Sequence, residues 1–189
     1  MTEEPIRHVM TNPHFVRIVS LISHAWHSPT WQRRHPDIDL KTHLDALQHL
    51  LQQGVFTETA YRQTFPMRLL GLLDMLAAAD ARLASEPADR VWLLQTMHAP
   101  RALTVMLVLM TTVYCPPVYY TPEQLAALGT ASGEEWQRKA GSIPGAFQVT
   151  GRWFFPAIGL RAMGIAVDWH SEQRITDPDA EETQEADGT

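Results

Sequence analysis

The run Cys115-Pro116-Pro117 divides the chain into two stretches that obey different rules. Two adjacent prolines supply no backbone N–H, and each disfavours helix at the residue before it. A helix arriving at Cys115 must stop there, so a boundary is expected at 115–118. Before it, apolar residues recur at helical spacing. After it, the spacing shortens, and glycine, proline and aromatics interrupt every run.

The first stretch reads as helices. Asn12-Pro13 offers an N-cap and a first-turn proline, leading into Phe15, Ile18, Val19, Ile22 and Trp26 up to Ser28-Pro29. Asp39 caps a second helix with Leu40, Leu44, Leu47, Leu50 and Leu51 on one face, stopped at Gly54. Thr57 to Gln63 reads as a short helix. Pro66 opens a strong one, with Leu69, Leu70, Leu73, Leu76 and Leu83, and Pro87 opens another through Met97. Pro100 begins the last, and its wide apolar face predicts a central, buried helix. Short connections make an all-α bundle of five or six helices the expected solution for 1–115.

Composition supports a real core: 45% of the 189 residues are apolar and 19% charged. Cys115 is the only cysteine, so an internal disulfide is excluded, and its place after an apolar helix predicts a buried structural thiol. The N-terminal MTEEPIRHVM has no apolar h-region, and the longest apolar run, Ala102 to Met110, is too short to span a bilayer. A soluble cytoplasmic protein without a membrane partner is expected. The net charge of −6 is unevenly placed. Residues 166–189 hold eight acids against Arg174, leaving fourteen basic and thirteen acidic residues in 1–165. The acidic segment 166–189 is expected to be disordered.

Residues 118–165 carry the informative pattern. Thr121-Pro122-Glu123-Gln124 is a helix start, with Leu125, Ala126 and Leu128 on its apolar face and Gly129 as its stop. Ser132 caps a second helix through Trp136 to Ala140, ended by Gly141. Two short helices around a glycine-bearing turn read as helix-turn-helix. Ile143 and Pro144 pin the chain as it leaves. Phe147-Gln148-Val149 and Arg152-Trp153-Phe154-Phe155 read as a hairpin across the turn Thr150-Gly151, and 157–163 as a closing helix.

In order and spacing, residues 119–163 resemble the small winged helix-turn-helix of excisionases and of the mercury-resistance-regulator type. The matching residues are Thr121, Leu125, Ala126, Leu128, Gly129, Trp136, Gly141, Ile143, Pro144, Gly145, Gly151, Arg152, Trp153 and Pro156. The resemblance covers about a quarter of the chain and none of the first hundred residues. Together with the helical bundle read at 1–115, it implies a mainly α protein with a winged helix-turn-helix at 118–165 and a two-stranded hairpin. It also implies a non-enzymatic regulator or accessory factor that binds double-stranded DNA. In that family the second helix faces the major groove and the hairpin is the wing. Gln137, Arg138 and Lys139, with Gln148, Thr150 and Arg152 near the wing tip, are then the DNA-contacting residues.

Three features depart from the pattern. Glu134 and Glu135 open the second helix, the segment before Trp136 is about one residue off the commonest spacing, and the unit carries a net charge of only +1. The alternative is therefore a protein-contact module. Arg33-Arg34 could supplement a DNA surface but reads more simply as loop charge. A Leu/Met stripe on the helical unit predicts a homodimer, the arrangement that would match two half-sites.

Other chemistry finds little footing. His24 and His27 share a helix face, with His43 and His49 as candidate further ligands, but no regular ligand set accompanies them. No metal or cofactor is expected. No catalytic residue is assigned, because no nucleophile elbow, phosphate loop or dinucleotide fingerprint is present.

Overall fold

In a computed structural model of the chain, residues 3–52, 58–99, 101–167, 175 and 177–180 are described. Among them, seven helices precede Cys115: α1 (Glu3–Met10), α2 (Pro13–His27), α3 (Pro29–Arg34), α4 (Leu40–Gln52), α5 (Glu58–Ala79), α6 (Pro87–Met97) and α7 (Ala102–Tyr114). The expected five or six become seven because α1 and α3 are too short to show a period. The signals expected at Gly54, Thr57 and Pro100 lie outside the described residues.

The caps read from sequence are present. The Asn12 side chain accepts from the amides of His14 and Phe15. Ser28 serves two helices: its N–H donates to the His24 carbonyl to close α2, and its Oγ accepts from the Trp31 amide to open α3. Pro66 does not open a helix; α5 runs through it. The buried face of Phe65, Leu69, Leu72, Leu73 and Leu76 continues across the proline, and its burial outweighs the one missing backbone bond.

The hub is α2 rather than α7. Nine of its fifteen residues are buried, and it packs against α6, α7 and a helix from the second half of the chain. On α7, by contrast, Leu103 and Leu107 are exposed. Cys115 is also exposed, correcting the buried thiol; its S–H donates to the Thr111 carbonyl at 3.4 Å.

After Pro117 come β1 (Tyr119–Tyr120), α8 (Pro122–Ala127), α9 (Gly133–Lys139), β2 (Phe147–Val149), β3 (Arg152–Pro156) and α10 (Ala157–Ala162). The expected two-stranded hairpin is a three-stranded antiparallel sheet in the order β1-β3-β2. Tyr119 pairs with Pro156 and Tyr120 with Phe155. A two-residue strand has no detectable alternation, so β1 exists only through its partner.

The sheet has two occupied faces. Tyr120, Trp153 and Phe155 belong to a cluster with Leu125 of α8, Trp136 of α9 and Leu160 of α10. Tyr119, Val149 and Phe154 form the other face with Phe147 and Ile175. Phe147 reaches the helical unit, its ring 4.7 Å from that of His24.

Ile175 and Asp177–Ala180 correct the expectation of a disordered acidic segment over 166–189. Ile175 bridges to Tyr119, and Pro178–Ala180 form a 3₁₀ turn with Pro178 and Asp179 buried. Acidic composition favours solvation only when the carboxylates lack partners, and here both Asp177 and Asp179 find them. The rest of that expectation, over 168–174, 176 and 181–189, lies outside the described residues.

The joint between the two halves explains the sequence Gly-Ser-Ile-Pro-Gly at 141–145. Gly145, at φ 77°, lies where a Cβ would sit 2.5 Å from Ser20 Oγ of α2. A Cβ on Gly159 of α10 would overlap the Pro144 carbonyl. Both glycines allow backbone to approach backbone or a helix surface more closely than any side chain permits.

Candidate nucleic-acid interface

The helix pair is built from local chemistry. Thr121 and Gln124 form a capping box: the Gln124 amide donates to Thr121 Oγ1 at 3.4 Å, and the Thr121 amide to Gln124 Oε1 at 2.9 Å. Pro122 takes the first helical position. Gly129, at φ 77°, carries the chain out of α8. Ser132 Oγ accepts from the Glu135 amide at 3.2 Å and starts α9.

Trp136 sets the rotation of α9. Its ring is buried and packs 6.0 Å from Phe155 of β3. The next three residues, Gln137, Arg138 and Lys139, are consequently exposed. The hairpin closes through Thr150 at φ 48° and Gly151 at φ 83°, the positive pair that a type I′ turn requires.

Gln148, Thr150 and Arg152 are exposed, but they do not form one surface. Gln148 pairs with Trp153 on the face that meets α8 and α9, whereas Arg152 pairs with Val149 on the opposite face. Thr150 sits between them at the tip. The Arg152 guanidinium lies 5.8 Å from the Phe154 ring centre and 4.0 Å from Glu123 Oε2.

The cations are shadowed by acids. Lys139 Nζ bonds Glu135 Oε1 at 2.6 Å and stands 5.8 Å from the Trp136 ring centre. That hydrogen bond, with the Lys139 charge, lowers the Glu135 carboxyl below its ordinary value. Glu123 is also lowered, first by its own backbone N–H and further by Thr121 and Arg152, against a smaller opposing effect of burial. Arg138 is exposed on α9 beside Glu134 and Glu135 in sequence.

The histidines expected to compete for a metal serve the structure instead. His27 Nε2 donates to the Val113 carbonyl at 2.9 Å, and burial lowers its pKa against that bond. His24 bonds Asp179 and Tyr119. His43 and His49 are exposed on α4, and among the described residues no group of three metal-ligating side chains gathers.

Two buried polar clusters are absent from the sequence expectations. Asp89 accepts from Arg17 Nη2 at 2.6 Å and Nε at 2.9 Å, lies 2.8 Å from His14 Nδ1, and accepts from the Glu86 amide. Its position three residues after Glu86 is the signature of a capping box and was the available signal. Asp179, which joins His24 to Arg82, gave no local signal.

Among the described residues no helix is long and apolar enough to cross a membrane. Compared with protein-family models, curated proteins and solved structures, the chain matches none of them.

Proposed function

We propose that residues 118–165 are a winged helix-turn-helix that contacts double-stranded DNA, and that the chain is a non-enzymatic regulator or accessory factor. The supporting observation is the chain order of α8, glycine turn, α9 and hairpin, anchored by Trp136 on Phe155 with Gln137, Arg138 and Lys139 left exposed. In this reading α9 addresses the groove and Thr150 and Arg152 the backbone beside it. The helical unit supplies dimerisation, for which the exposed Leu103 and Leu107 of α7 are the candidates.

Fluorescence anisotropy on labelled duplex, at low and moderate salt, tests the reading. Binding should weaken as salt rises, because neutralising phosphates releases counterions. The double variant Arg138→Glu/Arg152→Glu should lose it. Glu134→Gln/Glu135→Gln should strengthen it, since both carboxylates stand at the helix start. Salt-independent binding, or binding unaltered in the double variant, would sink the proposal.

The pairs Lys139–Glu135 and Arg152–Glu123 favour a second reading, in which the same surface meets a protein partner. A surface of matched charges suits a polar protein rim better than a phosphate backbone. No duplex binding at tens of micromolar protein, with capture of a partner that Arg138→Glu releases, would select it.

A further inference from the structure

A groove of about 640 Å³ lies between α1, α2, α7 and the connection 115–119. Its lining residues divide by exposure. Val19, Val118, Tyr119 and Ala157 are at most 5% exposed, whereas Leu107, Thr111 and Cys115 are open to solvent. The first set is a covered floor and the second a rim, so the groove is a walled cleft rather than a flat face. A partner helix, about 10 Å across, rests on exposed side chains and cannot reach such a floor. A small molecule can, and the volume falls within the range of roughly 300–1,000 Å³ typical of small-molecule sites. Protein interiors are close-packed, and an unfilled apolar hollow forfeits dispersion contacts along its lining.

The chemistry of the lining narrows the occupant. Among the described residues, no charged side chain lines the groove. Its polar side chains are already engaged. Ser23 Oγ donates to the Cys115 carbonyl, Thr111 and Thr112 donate to the carbonyls of Leu107 and Val108, and the Tyr119 hydroxyl faces His24 Nδ1. The Ser20 hydroxyl is turned toward Gly145 and is covered. The backbone is similarly occupied. Pro116, Pro117 and Pro156 have no N–H, and the amides of Cys115, Tyr119 and Ala157 donate to the carbonyls of Thr112, Ile175 and Val118. A charged group entering the groove would lose its water and gain no counter-charge.

We propose that the groove binds an uncharged, mainly hydrocarbon small molecule. Charge complementarity selects this class: a neutral apolar lining accepts a neutral apolar occupant and rejects an ion of the same shape. The groove is bounded on one side by α2 and α7 and on the other by the 115–119 connection and Pro156–Ile158. A ligand there touches both halves of the chain. Its binding does not depend on the DNA contact proposed above.

The test uses the full chain and N-phenylnaphthylamine, an uncharged dye that fluoresces in apolar surroundings. Saturable one-to-one binding with a Kd of roughly 1–100 μM is expected. Octanol should displace the dye, and octanoate, the same chain length ending in a carboxylate, should require a concentration about tenfold higher or more. Thr111→Trp, at an exposed α7 position on the rim, places an indole across the groove and should weaken dye binding about tenfold or more. Cys115 gives a readout without any substitution. It is the only cysteine, it is exposed, and it lines the groove, so octanol should slow its alkylation by a maleimide several-fold.

Absence of both saturable fluorescence and Cys115 protection up to about 1 mM octanol would overturn the proposal. So would octanoate competing as well as octanol, or dye binding that Thr111→Trp leaves intact. A dimer in sedimentation whose formation excludes the dye would overturn it in favour of a second copy of the chain.

Discussion

His24 Nε2 donates to Asp179 Oδ2 at 2.8 Å, joining residues 155 positions apart, and neither is appreciably exposed to water. The carboxylate can only accept, so Nε2 carries the proton. Nδ1 then faces the Tyr119 hydroxyl at 3.3 Å. Burial, and the charges of Asp179 and Asp177, push the Tyr119 phenol far above its ordinary value, so it remains a donor. Arg82 Nη1 reaches the other Asp179 oxygen at 3.0 Å, and Ser28 Oγ donates to Asp177 at 2.6 Å. One short segment thus ties β1, α2, α3 and the 3₁₀ turn Ala81–Leu83 together.

Asp179→Ala should destabilise the protein by about 3–5 kcal/mol, because it leaves the buried His24 Nε2 without its acceptor and removes one of the two carboxylates that hold Arg82, the other being Asp80. The pH dependence has a definite sign. Burial raises the Asp179 carboxyl, but His24 and Arg82 outweigh it and hold it well below the usual carboxylate range. A depressed carboxyl stabilises fully above its unfolded value, near ~3.9, and the contribution is lost progressively as pH falls below that. Urea titrations from neutral pH downward should show wild type converging on Asp179→Asn at the acid end. A gap that stays constant with pH would refute the assignment.

Two truncations distinguish the buried turn from the residues beyond it. Removing 175–189 should lower the urea midpoint markedly, and by more than removing 181–189 does. The longer truncation loses Asp177, Asp179 and the Ile175 bridge to Tyr119 together. The shorter truncation is also the clean test of whether the acidic end competes with DNA. Stronger duplex binding after removing 181–189 would make that end an autoinhibitor, and unchanged binding would end the idea.

Gly159→Ala should cost about 1–3 kcal/mol or more, since the new methyl overlaps the Pro144 carbonyl, a backbone atom that cannot rotate away. Gly145→Ala adds a strained φ of 77° to a collision with Ser20. Gly141→Ala is the control, with nothing within 4 Å of the added carbon. Thermal melts of the three should rank accordingly; equal melting points would mean that the joint is not closely packed.

Thr150→Asn should stabilise the protein by about 1 kcal/mol. A β-branched residue at φ 48° is strained, and asparagine is a favoured first residue of a type I′ turn. Denaturant midpoints would register the gain, and a loss would show that the Thr150 side chain has a contact worth more than the strain.

Most elements of 118–165 were legible because their signals are local. Thr121-Pro122, Gly129, Ser132 and Thr150-Gly151 each fix the backbone within a few residues, and each appears where its chemistry places it. The capping box of Asp89 was equally local, yet its burial against Arg17 and His14 was not. Pro66 misled because a breaker is a local rule, while the apolar face running through it stabilises only when α5 packs. Cys115 misled for the opposite reason: its neighbours on α7 are apolar, but the groove leaves its own side open.

By itself the sequence determined where α2, α4, α6, α8 and α9 start and where the hairpin turns, but not α1, α3 or the start of α5. Capping, φ restriction and apolar period act within a few residues and need no partner. Only the tertiary structure decided that Tyr119-Tyr120 is a strand, that Gln148 and Arg152 lie on opposite faces, and that an acid near the end of the chain is buried. Each of these depends on a partner far away in the chain, and the stabilisation appears only once both sides have left water.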